Sequence, residues 1–84
     1  MEIKRQQVET TVRETIATLR GIEPESISND DNLENDLGMD SLDLIETIMV
    51  LERELSIMIP DDEEITKDMT VEKFTDAIYT YCNE

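Results

Sequence analysis

The chain has 84 residues, with 22 acidic side chains against seven basic ones, no histidine and a formal net charge of −15. A chain of this length can build one domain around one modest core. Nucleic acids and anionic membranes bind basic surfaces, so this charge argues against both as partners. We expect a single domain over residues 1–84 that binds no nucleic acid and does not insert stably into a membrane.

Apolar runs and cysteine usage favour a cytoplasmic protein. No stretch reaches the roughly 18 apolar residues of a membrane span, and residues 1–5 (Met-Glu-Ile-Lys-Arg) lack the apolar centre of a signal peptide. Cys82 is the single cysteine, so no internal disulfide can form, as is usual in a reducing cytosol. We expect a cytoplasmic monomer.

The negative charge is concentrated after the first twenty residues. Residues 1–20 hold three acids and four bases, whereas residues 21–84 hold nineteen acids and three bases. Hydrophobic residues make up 38% of the chain and recur at helical intervals, which favours a folded chain over a disordered one. The acidic body is either a solvated surface that keeps the protein soluble or a docking surface for basic partners.

The first predicted helix covers residues 2–20 and is followed by a long loop. Gly21 is the stop signal, and the helix has apolar residues at i, i+4, i+8 and i+11: Val8, Val12, Ile16 and Leu19. Residues 21–40 are rich in turn formers, and a loop of this length is uncommon unless it is functional or held by the core. We predict an ordered loop with four apolar anchors: Ile22, Ile27, Leu33 and Leu37.

The second predicted helix begins at Ser41 and ends near Glu54. Asp40 is a suitable N-cap, and Asp43 suits the positive end of the helix dipole. The helix has one apolar stripe typical of a core face: Leu44, Ile48, Leu51 and Leu55. A second apolar stripe lies about a third of a turn around the helix, at ~100° per residue. We call it the outer stripe, and its residues are Leu42, Ile45 and Met49.

The outer stripe either widens the buried face or is an exposed patch for a partner. Asp43, Glu46 and Glu52 lie along or near its edges. An apolar centre with an acidic rim suits a basic, apolar groove on another protein.

The rest of the chain predicts two further helices. A short third helix follows Pro60, and Thr70 caps a last helix, whose apolar face is Val71, Phe74, Ile78 and Tyr81. No segment has a plausible strand partner. The predicted fold is all-α, a four-helix bundle with three main helices, a short third helix and a long ordered loop between the first two.

Ser41 lies where the loop meets the second helix, and the chain excludes a hydrolytic role for it. A serine nucleophile normally needs a base, most often histidine, and the chain has none. The hydroxyl is either part of a helix cap or a site of modification, because a phosphate on it would lie at a helix N-terminus. Simple phosphorylation fits these facts as well.

The acidic loop does not match a calcium-binding EF-hand. Counted from Asp30, position 6 is Asn35 where glycine is needed, and position 12 is Ser41 where glutamate is needed. Weak, diffuse binding of divalent cations by these acids is an alternative that the sequence does not exclude. With no histidine and one cysteine, no zinc or iron site is expected.

The segment Asp36-Leu37-Gly38-Met39-Asp40-Ser41-Leu42-Asp43 resembles the Asp-Leu-Gly-x-Asp-Ser-Leu-Asp signature of acyl carrier proteins. The resemblance extends from about Val8 to Tyr81, and further similarities follow in order: Leu51-Glu52, Ile57-Met58-Ile59-Pro60-Asp61 and Thr70-Val71. It implies a protein without catalytic or metal-binding residues of its own, which carries acyl groups as thioesters on a 4′-phosphopantetheine arm attached to Ser41.

The resemblance also implies partners. Coenzyme A would donate the arm through a magnesium-dependent holo-carrier synthase. The later partners would be acyltransferases and other acyl-chain-processing enzymes with basic docking patches. The bundle interior would shelter the acyl chain. The residues implied to meet partners are Asp40, Leu42, Asp43, Ile45, Glu46 and Met49.

Some positions differ from the commonest fatty-acid type of carrier. Arg53 interrupts an acidic helix, Leu55 replaces an aromatic residue, and Met39 replaces a small one. Fatty acid biosynthesis is the first interpretation, and a carrier for a polyketide-like or other specialised acyl pathway is the alternative. Outside the family, the alternatives are a cofactor-free helical adaptor and an acidic cation-binding protein.

Overall fold

The computed structural model describes residues 3–60 and 65–83. Within these ranges the chain is all-helical, with no β-strand and one isolated antiparallel bridge between Asn32 and Thr70. The helices are α1 (Arg5–Arg20), a short 3-10 turn (Pro24–Ser26), α2 (Ser41–Leu55) and α3 (Val71–Cys82). The all-α prediction is confirmed, while residues 61–64, where the short third helix is predicted to start, lie outside the described residues.

Helix α1 begins later than the predicted residue 2. Lys4 has an extended backbone, and its N–H donates to Gln7 Oε1 at 2.8 Å, which marks Lys4 as the residue before the helix. The predicted end is confirmed: Gly21 adopts a left-handed conformation, with φ of 69°. The N–H groups of Gly21 and Ile22 both donate to the carbonyl of Ala17, which closes the last turn.

Helix α2 ends on a left-handed residue that is not glycine. Ser56 has φ of 54°, and the N–H groups of Ser56 and Ile57 donate to the carbonyl of Glu52. The Glu52 carboxylate also accepts from the N–H of Ile59 at 2.9 Å. One glutamate therefore holds both the helix end and the non-helical segment after it.

The loop between α1 and α2 is ordered because it satisfies the first turn of α3. The first N–H groups of a helix have no partner within it. Here the N–H of Val71 donates to the carbonyl of Asp31 at 2.9 Å, and that of Glu72 to the carbonyl of Asn29 at 3.0 Å. Thr70 Oγ1 accepts from the N–H of Lys73, as predicted for a cap.

The core forms where α1 packs against both α2 and α3. Its buried apolar residues in the described ranges are Val8, Val12, Ile16, Ala17, Ile27, Leu33, Met39, Leu51, Leu55, Ile59, Ile65, Val71, Phe74 and Ile78. Two predicted loop anchors, Ile27 and Leu33, are confirmed, and Leu37 is half-buried. The prediction for Ile22 is wrong: it is 40% exposed, because the chain returns to the core only at Ile27, after the 3-10 turn.

The two stripes of α2 have different environments. In the core stripe Leu51 and Leu55 are buried, while Leu44 and Ile48 are half-buried. The outer stripe is exposed, at 62% for Leu42, 55% for Ile45 and 62% for Met49. Its members therefore contribute little to the core and leave an apolar patch on the surface.

We predict that Leu51→Ala and Met49→Ala differ sharply in stability, although the two residues share one helix. Leu51 is fully buried, so its truncation leaves a cavity and should cost about 2–5 kcal/mol. Met49→Ala should cost about 0.5 kcal/mol or less, since its side chain is mostly exposed. Urea denaturation of both variants measures the difference, and equal losses would show that the outer stripe is core.

Candidate functional site

The first turn of α2 is fixed by a reciprocal pair of hydrogen bonds. Asp40 has an extended backbone, and its Oδ1 accepts from the N–H of Asp43 at 2.9 Å. In return, Asp43 Oδ2 accepts from the N–H of Asp40 at 3.1 Å. This capping box satisfies two unpaired donors at once and sets Ser41 as the first helical residue.

The capping box keeps Asp40 ionised. The backbone N–H of Asp43 stabilises its carboxylate and lowers the pKa of Asp40 below its usual value. The N–H of Leu42 and the positive charge of Arg20 lower that pKa further, against the opposing effect of desolvation. A carboxylate with a lowered pKa is a poor proton acceptor, so Asp40 is suited to holding the turn and not to acting as a base.

Ser41 presents a hydroxyl that is free to react. The residue is exposed, and its Oγ donates no hydrogen bond to any residue that the structure describes. By contrast, Ser26 Oγ donates to the carbonyl of Glu23 at 2.6 Å, and Ser28 Oγ accepts from the N–H of Asp30 at 3.2 Å. Ser41 also lies at a helix N-terminus, where a phosphate on its oxygen would be stabilised.

The residues just before Ser41 hold the loop against the core. Met39 is 1% exposed, and its N–H donates to the carbonyl of Leu33 at 2.9 Å. Gly38 has φ of +68°, and a Cβ there would lie 3.3 Å from Arg20 Nη2. Met39 thus anchors the segment, while Gly38 provides both the left-handed backbone and the space for Arg20.

Two basic residues pair with acids of the loop and of the first turn of α2. Arg20 Nη1 lies 3.3 Å from Asp43 Oδ2, and Lys67 Nζ lies 2.9 Å from Glu34 Oε2. The bond to Glu34 raises the pKa of Lys67. No sequence pattern indicates either cation, because their partners are distant in the chain.

The six residues implied to meet partners fall into two groups. The carboxylates of Asp40 and Asp43 bind one another's backbone, and Asp43 is further paired with Arg20. The other four are exposed on the outer stripe and beside it: Leu42, Ile45, Glu46 and Met49. The second group makes no such hydrogen bond or ion pair through its side chains within the described residues, whereas Asp40 is exposed but also caps the helix.

An apolar cavity of about 360 Å³ lies between α2 and the segments on either side of residues 61–64. Its lining is Leu44, Ile45, Ile48, Met49, Ile59, Pro60 and Ile65. Ile45 and Met49 belong to both the cavity and the outer stripe. The exposed patch of α2 therefore continues into an apolar recess.

The family model for the phosphopantetheine attachment site matches residues 10–78. The chain belongs to this family. It is a carrier of the acyl carrier type, in which 4′-phosphopantetheine is attached covalently and the protein itself catalyses no reaction. The match includes the capping box, the loop and both stripes of α2.

The residues of this carrier fit such an arm. The attachment chemistry needs an accessible hydroxyl and tolerance of a phosphodiester, and the first turn of α2 offers both. When bound, the arm supplies a terminal thiol that holds acyl groups as thioesters. Partner enzymes that process acyl chains are implied by this role.

The acidic loop of the carrier uses its polar side chains for turns. Asn32 Oδ1 accepts from the N–H groups of Glu34 and Asn35, and Asp36 Oδ2 accepts from the N–H of Asn32 at 2.7 Å. In the part of the chain that is described, no three acidic or cysteine side chains gather as a metal site. Nor does a described helix have the length and apolarity needed to cross a bilayer.

We predict that Asp40 makes the stability of the carrier pH-dependent. Its pKa is lower in the folded state than the ordinary 3.8. A carboxylate shifted in this direction stabilises the fold fully above the unfolded pKa and loses that effect as the pH falls through the folded pKa. Asp40→Asn keeps a capping oxygen but removes the charge, so it should be less stable than the wild type at neutral pH.

The difference in free energy of unfolding between wild type and Asp40→Asn should narrow below pH 3.8. It should vanish once the carboxyl of Asp40 is protonated in the folded protein. Urea denaturation of both proteins across this range measures it. A gap that stays constant with pH would show that the charge of Asp40 does not contribute.

Proposed function

We propose that Ser41 is the residue that receives the 4′-phosphopantetheine arm. The observation that supports it is a free, exposed hydroxyl at the first position of α2, inside the capping box of Asp40 and Asp43 and within Asp-Leu-Gly-Met-Asp-Ser-Leu-Asp. Of the described serines, Ser26 and Ser28 use their hydroxyls in turns. Ser56 closes the far end of α2 in a left-handed conformation.

The transfer would be catalysed by a magnesium-dependent holo-carrier synthase with coenzyme A as donor. Ser41 Oγ attacks the pyrophosphate phosphorus next to the pantetheine, an O–P bond forms, and the bond to the leaving adenosine 3′,5′-bisphosphate breaks. The serine proton must go to a base. The chain has no histidine, and the pKa of Asp40 is lowered, so the synthase supplies that base.

We predict that Ser41→Ala abolishes modification and leaves the fold intact. Intact mass after incubation with coenzyme A and a carrier synthase should show one added pantetheinyl group on the wild type and none on Ser41→Ala. Ser26→Ala is the matched control and should be modified normally. Modification of Ser41→Ala, or an unmodified wild type, contradicts the proposal. An adaptor without a cofactor, or a cation binder, would take up no arm.

The outer stripe is proposed as the docking surface for the synthase, acyltransferases and other acyl-chain-processing enzymes. It offers three exposed apolar side chains, and Glu46 beside them is exposed. A partner groove with an apolar floor and a basic edge would complement this surface in shape and charge. In this proposal Asp40 and Asp43 contribute to docking mainly by fixing the turn and by the electrostatic attraction of their negative charges.

We predict that Glu46→Lys slows association with the synthase, most strongly at low salt, because it removes an attraction that steers encounter. Glu72→Lys is the control, since it makes the same charge change at an exposed position on α3. Stopped-flow association at two ionic strengths measures both. Ile45→Ala and Met49→Ala should weaken turnover while remaining folded. Equal slowing by Glu46→Lys and Glu72→Lys would indicate a general charge effect and no docking at Glu46.

Fatty acid biosynthesis is the pathway we propose first. The apolar cavity beside α2 supports it, because each methylene buried there would contribute about 0.8 kcal/mol. A polyketide-like or other specialised carrier is the second candidate, and Arg53 favours it: its side chain is 74% exposed on a helix whose other charged residues are all acidic. If Arg53→Glu improves turnover by fatty-acid-type enzymes, Arg53 is a residue that makes this carrier a poorer substrate for those enzymes. The proposed location is the cytoplasm.

A further inference from the structure

Arg20 connects α1 to both sides of Ser41. It is the last residue of α1, and its Nη1 lies 3.3 Å from Asp43 Oδ2, two residues after the serine. Its Nη2 lies 3.3 Å from the position that a Cβ of Gly38 would occupy, three residues before the serine. One planar guanidinium therefore spans the segment that carries the reactive hydroxyl.

The oxygen that Arg20 contacts is the one that completes the capping box. Asp43 Oδ2 accepts from the N–H of Asp40 at 3.1 Å and from Arg20 Nη1 at 3.3 Å. Because both donors bind one atom, Arg20 restricts the rotation of the carboxylate that fixes the start of α2. Asp43 is mostly buried, with its side chain 19% exposed, which leaves that carboxylate few alternative positions.

We infer that Arg20 is a positioning residue for the modification of Ser41: it packs beside Gly38, ties the end of α1 to Asp43 and so holds the serine in a reactive orientation. This inference rests on the proposal that Ser41 accepts the arm. Arg20 acts through Asp43 and the loop, and not by contact with the synthase. Its loss should therefore lower kcat for pantetheinylation and leave the KM for the carrier unchanged.

The variants are Arg20→Ala and Arg20→Lys, with Arg5→Ala as the matched control. Arg5 is also on α1, and it also pairs with another helix, through Asp76 of α3. Both alanine variants remove one positive charge and one ion pair between helices. Only Arg20 is next to the segment of Ser41.

In the kinetic measurement, Arg20→Ala should lower kcat about fivefold, the effect expected from losing one partly exposed ion pair. Arg20→Lys should recover part of the rate, since it retains the charge but lacks the planar guanidinium that pairs with Asp43 and fills the space beside Gly38. Arg5→Ala should have the wild-type kcat. Glu46→Lys, a change in the docking surface, should instead raise KM.

A second measurement needs no synthase. Amide hydrogen exchange in the apo-protein reports the opening of the capping box at the N–H groups of Asp40 and Asp43. Arg20→Ala should speed exchange at these two amides about fivefold, again from the loss of one such ion pair. Arg5→Ala should leave it unchanged.

The two measurements separate the inference from the proposed function. If the wild type takes up no arm, the proposed function is wrong, and the exchange rates still test whether Arg20 stabilises the capping box. Suppose that the wild type is modified and that Arg20→Ala leaves kcat, the exchange rates or both unchanged. The proposal that Ser41 receives the arm is then retained, while the inference about Arg20 is wrong. A raised KM with unchanged kcat, or faster modification, would also overturn it, because Arg20 would then contact the synthase or compete with it for Asp43.

Discussion

The reciprocal hydrogen bonds between Asp40 and Asp43 are the constraint on which the site depends. A helix starts with N–H groups that have no partner, and the two carboxylates satisfy those of Asp40 and Asp43 while making each other's geometry rigid. The result determines where α2 begins, which residue is first in the helix, and which way the outer stripe faces. A serine one position earlier or later would have a different relation to the helix dipole and to the outer stripe.

The loop before this turn is rigid for a different reason. Its carbonyls satisfy the first N–H groups of α3, and its apolar residues Ile27, Leu33 and Met39 enter the core. Because a buried loop would leave polar groups unpaired, a long connection stays ordered only where such partners exist. The entry to α3 and the entry to α2 are thereby held by the same twenty residues, so the site is fixed from both sides.

Two acidic side chains, one in the loop and one in the first turn of α2, form ion pairs with basic residues of the chain. Arg20 pairs with Asp43, and Lys67 pairs with Glu34, so two of the seven basic residues pair with acids of the loop and of the first turn of α2. Glu46 is exposed on the outer face of the helix. The acidic groups at the turn thus stabilise its backbone, whereas Glu46 farther along α2 stays exposed.

The sequence by itself determined the all-α class, the caps at Asp40 and Thr70, the two stripes of α2 and the position of Ser41. These depend on periodicity and on hydrogen bonds between residues a few positions apart, which a sequence displays directly. Only the tertiary structure decided that Met39 is core, that Ile22 is exposed and that Arg20 joins the site. Burial and ion pairs between distant residues depend on how α1 packs against α2 and α3, and no local pattern encodes that packing.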